Sequence, residues 1–232
     1  GYGVVEPFAE KFPHRFFNAG VAEQNMVGLA AGLASEGYHV FVYSIANFPI
    51  FRCAEQIRND VCYHNLPVTI VAVGGGLAYG NLGYSHHAVQ DYAFMRVMPN
   101  MTILAPGDPS ETKMCLDFIV ENSGPSYFRL GKTGEMNYNK STSLRGNGAL
   151  ETLFLSNGAK FAIISTGAIL QSVQQMVSDN NISEVDLYTC PIWGMHLKNS
   201  LQERLRQYSK IVVVEDHLED GGFGSWVLEA LE

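Results

Sequence analysis

The sequence predicts an α/β protein of two domains, each a mainly parallel sheet flanked by helices, and three observations carry that prediction. Short β-branched, apolar runs alternate with segments of helical period, the order that builds parallel sheets through crossover helices. One run, VTIVAV at 68–73, is apolar on both faces, as a central strand covered on two sides must be. The alternation fades after Leu130 and resumes at Phe161. The chain therefore divides into a first domain at 1–130, a linker at 131–159 and a second, incomplete domain at 160–232.

The elements follow in order. Phe16-Phe17 reads as a strand end. Residues 21–36 have helical spacing, with Met26, Leu29, Ala30 and Leu33 on one face, and Gly37 can end that helix. HVFVY at 39–43 is a strand, 50–63 a helix, 68–73 the central strand and 88–97 a helix. A strand at 102–105 precedes a helix at 109–122, whose Pro109 suits a first turn. A strand at 126–129 closes the first unit. Residues 131–160 are rich in glycine, serine, asparagine and charge, with weak periodicity, as in a linker. The second unit has strands at 161–165, 185–189 and 211–215, helices at 169–180 and 197–207, and a last helix from about Gly224.

Composition narrows the function. The 232 residues allow substantial cores, and 47% hydrophobic residues is ordinary for a soluble globular protein. A net charge of -8 disfavours nucleic acid and anionic membranes as partners. Cys53, Cys62, Cys115 and Cys190 are scattered with no CxxC pair, which argues against zinc or a redox motif and fits reduced thiols in the cytoplasm. Neither a secretory leader nor an uncharged apolar run of about 18 residues is present, so no membrane span is expected.

The chemistry concentrates in FFNAGVAEQNMVGLAAGLASEG, 16–37. Glu23 stands at the first turn of a helix whose body is small or apolar. Burial there should raise its pKa unless the carboxylate is paired. Read from periodicity alone, Glu23 is better taken as an ordinary acid complementing the helix dipole.

That segment resembles the glutamate-bearing stretch of the transketolase family, in the form found in split transketolases. The likeness continues through YSIANFPIFRCAEQIRND, GYSHHAVQDYAFMRVMPNMTILAPGDPSE and GPSYFRLGK, and VVVEDHLEDGGFGSWVLEAL resembles the family's last domain. It covers nearly the whole chain, with the motifs in the family's order. It implies a thiamine diphosphate pyrimidine-binding fold followed by a transketolase C-terminal-like domain, with the cofactor held at a subunit interface.

Carried over residue by residue, the resemblance implies that Glu23 meets a ring nitrogen of the aminopyrimidine and acts catalytically. The cofactor then serves as electron sink for a ketose. It implies an aminopyrimidine pocket formed by Ile45, Phe48 and Phe51. Phe48 and Phe51 could instead be core residues, although Phe48 beside Pro49 at a strand-to-helix turn suits a loop-borne pocket better. His86 matches a histidine of the substrate channel, with catalytic and substrate-binding roles, and His87 beside it reads as inert. Arg129 matches an arginine that holds the substrate phosphate, and its planar fork suits phosphate oxygens. A salt-bridged strand-end arginine is the equal alternative.

The likeness has departures. Many transketolases carry a histidine where this chain has Gly74, and an acidic pair where it has Asn81 and Leu82. Those residues contact the donor sugar's hydroxyls, so a modified or nucleotide-linked sugar becomes an open hypothesis. The GDG motif that anchors magnesium and the diphosphate is absent, and GDP at 107–109 is not its equivalent. The expectation is therefore a transferase subunit that moves a two-carbon ketol unit between sugars or sugar phosphates. It would act only with an N-terminal-section, diphosphate-binding partner that supplies the Mg2+ ligands, in a homodimer or heterotetramer. The family's first strand and helix would precede residue 1. Other readings are a deoxyxylulose-phosphate synthase-like or 2-oxo-acid dehydrogenase beta-like subunit, or a non-catalytic assembly subunit.

Overall fold

The computed structural model describes residues 4–132, 134–138, 150–156 and 158–232. A short helix, α1 (Glu6–Lys11), and a 3-10 turn (Pro13–Arg15) open it. Phe16 and Phe17 do not form the expected strand end. They lie in coil with no strand to pair, and Phe17 is three-quarters exposed.

Helix α2 (Glu23–Ser35) buries Val27, Ala30, Ala31 and Ala34. The buried stripe is turned by about one residue from the expected one, and Leu29 points outward. Small alanines let the helix approach the sheet more closely than leucines would, so they take the inner face. Gly37, with φ 93°, supplies the left-handed residue that ends the helix.

Four parallel strands follow: β1 (Val40–Ile45), β2 (Val68–Val73), β3 (Thr102–Leu104) and β4 (Ser126–Leu130). The helix expected at 50–63 starts earlier and is broken. It comprises α3 (Asn47–Arg52), a non-helical Cys53, α4 (Ala54–Gln56) and a π-helical turn over Ile57–Cys62. Helix α5 (Asp91–Arg96) is shorter than expected. Helix α6 (Pro109–Glu121) has Pro109 in its first turn and Asp108 as N-cap, accepting from Glu111 N at 2.8 Å.

The second half contains β5 (Glu151–Phe154), β6 (Phe161–Ser165), α7 (Leu170–Asp179), β7 (Val185–Thr189), β8 (Ile192–Gly194), α8 (Asn199–Leu205), β9 (Lys210–Val214) and α9 (Phe223–Leu231). Strand β5 lies inside the segment expected to be linker and pairs antiparallel with β7. Residues 133, 139–149 and 157 of that segment lie outside the described ones.

The sheet orders are β1-β2-β4-β3-β8 and β5-β7-β6-β9. Strand β8 belongs by sequence to the second half yet closes the first sheet, antiparallel to β3. The reason is Trp193, fully buried in β8. Its ring lies 5.1 Å from Tyr92, 5.2 Å from Phe223 and 5.4 Å from Trp226. Its indole N–H donates to Thr166 Oγ1 at 3.2 Å. One hydrophobic cluster thus runs from α2 through α5 to α9, joining both sheets. The four cysteines are buried free thiols. Among the described residues no helix is long and apolar enough to cross a membrane.

Trp193→Ala removes the centre of this cluster and should destabilise the protein by about 3–5 kcal/mol. Both halves should still unfold in one transition under denaturant. Two separated transitions in the wild type would show that the halves are independent.

Candidate active site

Ligands of parallel α/β sheets bind outside the carboxyl ends of the strands. Three chain segments meet there: the start of α3 after β1, the glycine-rich loop after β2, and the end of β4. The first turn of α2 brings Glu23 to the same region, where it meets Arg52, the last residue of α3.

Glu23 is mostly buried, its side chain 12% exposed, and Arg52 Nη1 donates to Oε1 at 2.7 Å. Burial acts to raise the carboxyl pKa. The Arg52 hydrogen bond, the Glu23 backbone N–H and the Arg52 charge outweigh it and hold the group below its usual value. The sequence-based expectation of a carboxyl tuned upward by an apolar helix start is corrected: the pairing it left open exists. Arg52 is nearly half exposed, so a ligand can displace it at modest cost.

Phe48 and Phe51 line a pocket of about 270 Å³ with Asn47, Arg52, Tyr84, Ser85, His87 and Gln90. Phe48 sits in the first turn of α3, not in a loop. One face of its ring is covered by the Arg52 guanidinium at 4.4 Å. Phe51 is 43% exposed and meets Phe94 edge-on at 5.2 Å. Ile45, last residue of β1, is half-buried and lies outside the lining of this pocket.

The three glycines after β2 each leave room for a particular side chain. A Cβ on Gly74 would fall 2.0 Å from the Tyr79 ring, one on Gly75 2.3 Å from Arg129 Nε, and one on Gly76 2.1 Å from Asp216 Oδ2. Tyr79 therefore fills the space a residue-74 side chain would take, which accounts physically for the glycine at this position. Asn81 and Leu82 lie exposed in a 3-10 turn (Gly80–Leu82).

His86 stands between two ring edges, Phe48 at 5.4 Å and Tyr79 at 6.1 Å. Its Nδ1 lies 3.0 Å from Ser85 Oγ, so a ligand contact would fall to Nε2. His87 Nε2 donates to Gly80 O at 3.0 Å and closes the loop on itself. That is a structural role, where the sequence suggested inertness.

For Arg129 the sequence left two readings open, and the geometry favours the second. It is 2% exposed, and its donors are taken up within the protein. Nε donates to Asp91 Oδ2 at 2.6 Å; Nη1 to Asp216 Oδ1 at 2.6 Å and Tyr92 Oη at 3.0 Å; Nη2 to Ala88 O at 3.0 Å and Asp216 O at 3.2 Å. A guanidinium so engaged has no fork left for a phosphate, and the salt-bridged alternative holds. A cation that the rim does present is Lys132, exposed and 4.7 Å above the Tyr79 ring.

Sequence reasoning missed Arg52, Asn47, Tyr79, Asp91 and Asp216. Arg52 carried a signal, as a cation in an otherwise apolar stretch, but its partner lies 29 positions away.

Residues 3–135 match the family described as transketolase, pyrimidine binding domain. A Methanocaldococcus jannaschii protein, provisionally assigned as a transketolase C-terminal section, is 39% identical over 97% of this chain and 71% of its own length. An apulose-4-phosphate transketolase subunit of Actinobacillus succinogenes is 32% identical over 98% of this chain and 73% of its own. A solved structure described as a split gene transketolase, inactive beta4 tetramer, superposes with TM-score 0.82 at 33% identity. That match covers 100% of this chain and 76% of that one.

Arg52→Gln should raise the Glu23 carboxyl pKa toward its ordinary value, because burial is then opposed only by the Glu23 backbone N–H. Carboxyl-carbon NMR titration reads it directly, and an unmoved midpoint would show that the ion pair does not govern this group.

Proposed function

This chain belongs to the transketolase family, and we propose that it forms the pyrimidine-binding half of a thiamine diphosphate-dependent enzyme transferring two-carbon ketol units between sugars. The observation that carries the reading is a pocket lined by Phe48, Phe51 and Arg52, with Glu23 paired to Arg52 and His86 edge-on to Phe48 beside it.

The residues fit the pyrimidine half of the cofactor. An aromatic-lined pocket has in its wall Arg52, paired with the Glu23 carboxylate, and a buried, unpartnered Asn47 Oδ1. Among the described residues no group of three or more His, Cys, Asp or Glu could hold a metal. The magnesium and diphosphate are assigned to a partner chain on the strength of relatives named as a section, a subunit and a split gene product. A homodimer or heterotetramer is the assembly this reading proposes, and four buried thiols suit a reducing cytoplasm.

When bound, thiamine diphosphate supplies the electron sink that ketol transfer requires. The chain's own residues do the rest. Glu23 would offer its carboxyl to a ring nitrogen of the aminopyrimidine in exchange for Arg52, and burial would then favour sharing a proton there. Phe48 and Phe51 exclude water from the ring. His86 Nε2 moves a proton at a substrate oxygen. Tyr79 filling the space beside Gly74, and Asn81 and Leu82 in place of acids, support a modified or nucleotide-linked sugar as the donor to test. One relative carries apulose-4-phosphate in its name.

The test combines the chain with its diphosphate-binding partner, thiamine diphosphate and magnesium, and screens ketose and modified-sugar donors alongside pyruvate. Ketol transfer should need both chains, and Glu23→Ala should lower kcat by about 10²–10⁴-fold. Activity from this chain alone would overturn the shared site. Full activity in Glu23→Ala would make it an assembly subunit, and pyruvate condensation would make it synthase-like. Reaction only with standard pentose phosphates would refute the modified donor.

A further inference from the structure

Asn47 opens helix α3, is 6% exposed, and reaches across to the glycine-rich loop. Its Nδ2 lies 3.0 Å from Ser85 O and 3.0 Å from His87 O, the two carbonyls on either side of His86. Carbonyl oxygens only accept, so the amide nitrogen must face them, one N–H to each. That choice leaves Asn47 Oδ1 buried with no hydrogen-bond partner. A buried orphan acceptor is destabilising, because its desolvation is not repaid. A cost borne at a pocket wall, next to Phe48 and the loop of His86, marks a residue kept for what its donors hold.

We propose that Asn47 is a positioning residue for His86. By bridging the two carbonyls that flank it, Asn47 fixes the backbone at 85–87 and keeps the imidazole edge-on to Phe48 at 5.4 Å. It touches no reacting atom itself. The consequence for catalysis rests on the reading of His86 given above; the positioning does not.

Asn47→Asp is the diagnostic substitution. It keeps the shape but puts a carboxylate, which can only accept, against two carbonyls. Protonated, it regains one O–H donor. In the full chain, the His86 ring resonances should shift or broaden at neutral pH, and amide exchange at 83–88 should accelerate. Both should recover in part as pH falls. Asn47→Ala should show the same loss without the recovery.

In the complex assembled with its partner, kcat should fall about 10- to 100-fold for both variants, with KM little changed, and only Asn47→Asp should regain activity on the acid side. Unmoved His86 resonances and unchanged exchange in a folded Asn47→Asp chain would overturn the proposal, as would loss identical to Asn47→Ala at every pH. If the resonances respond while the wild-type complex transfers no ketol unit, the positioning stands and the catalytic reading fails.

Discussion

A buried arginine cannot shed its proton, so the protein around it must supply an acceptor for every N–H it carries. Arg129 imposes that constraint at the end of β4, and its satisfaction organises much of the molecule. Asp91 comes from the first turn of α5, Ala88 from the segment before it, and Asp216 from the loop after β9 in the second half. The same loop places His217 over the Tyr92 ring at 5.3 Å. Glu215 caps the start of α9, accepting from Phe223 N at 2.6 Å and Gly224 N at 2.8 Å. The two sheets are thus joined by charge as well as by the Trp193 cluster. Gly75 and Gly76 must remain glycine because Arg129 and Asp216 fill the space beside them. The loop that bears His86 therefore begins on a seat built partly by the second half of the chain.

Much of this was legible where local chemistry decides. VTIVAV, FAIIS and VDLYT are β-branched or apolar runs bounded by turn residues, and the strands have the expected bounds. What escaped was decided at long range. Strand β8 is three residues long and follows Pro191, too short for any periodicity to register. Strand β5 hides in a polar segment because it sits at a sheet edge with one partner. The inner face of α2 follows close approach to the sheet, which favours alanine over leucine.

The same division holds at the site. Glu23, Phe48, Phe51 and His86 were named from motifs; the fold sets Phe48 and Phe51 in one pocket wall, with Glu23 on Arg52 and His86 against the Phe48 ring. The motifs could not give the sign of the Glu23 perturbation, which depends on an arginine 29 residues away. Nor could they distinguish an arginine offered to a ligand from one consumed by buried acids. Motifs specify residue type and spacing, while burial and partners decide protonation and availability.

Function then turns on whether the Glu23 side of the pocket receives the pyrimidine ring of a cofactor held elsewhere by a second chain. An experimental structure of the two chains with thiamine diphosphate and magnesium bound is the decisive measurement. Arg52 should be displaced, with a Glu23 carboxylate oxygen within hydrogen-bonding distance of a ring nitrogen and the ring against Phe48. A ring bound elsewhere, with Glu23 still paired to Arg52, would refute the shared site.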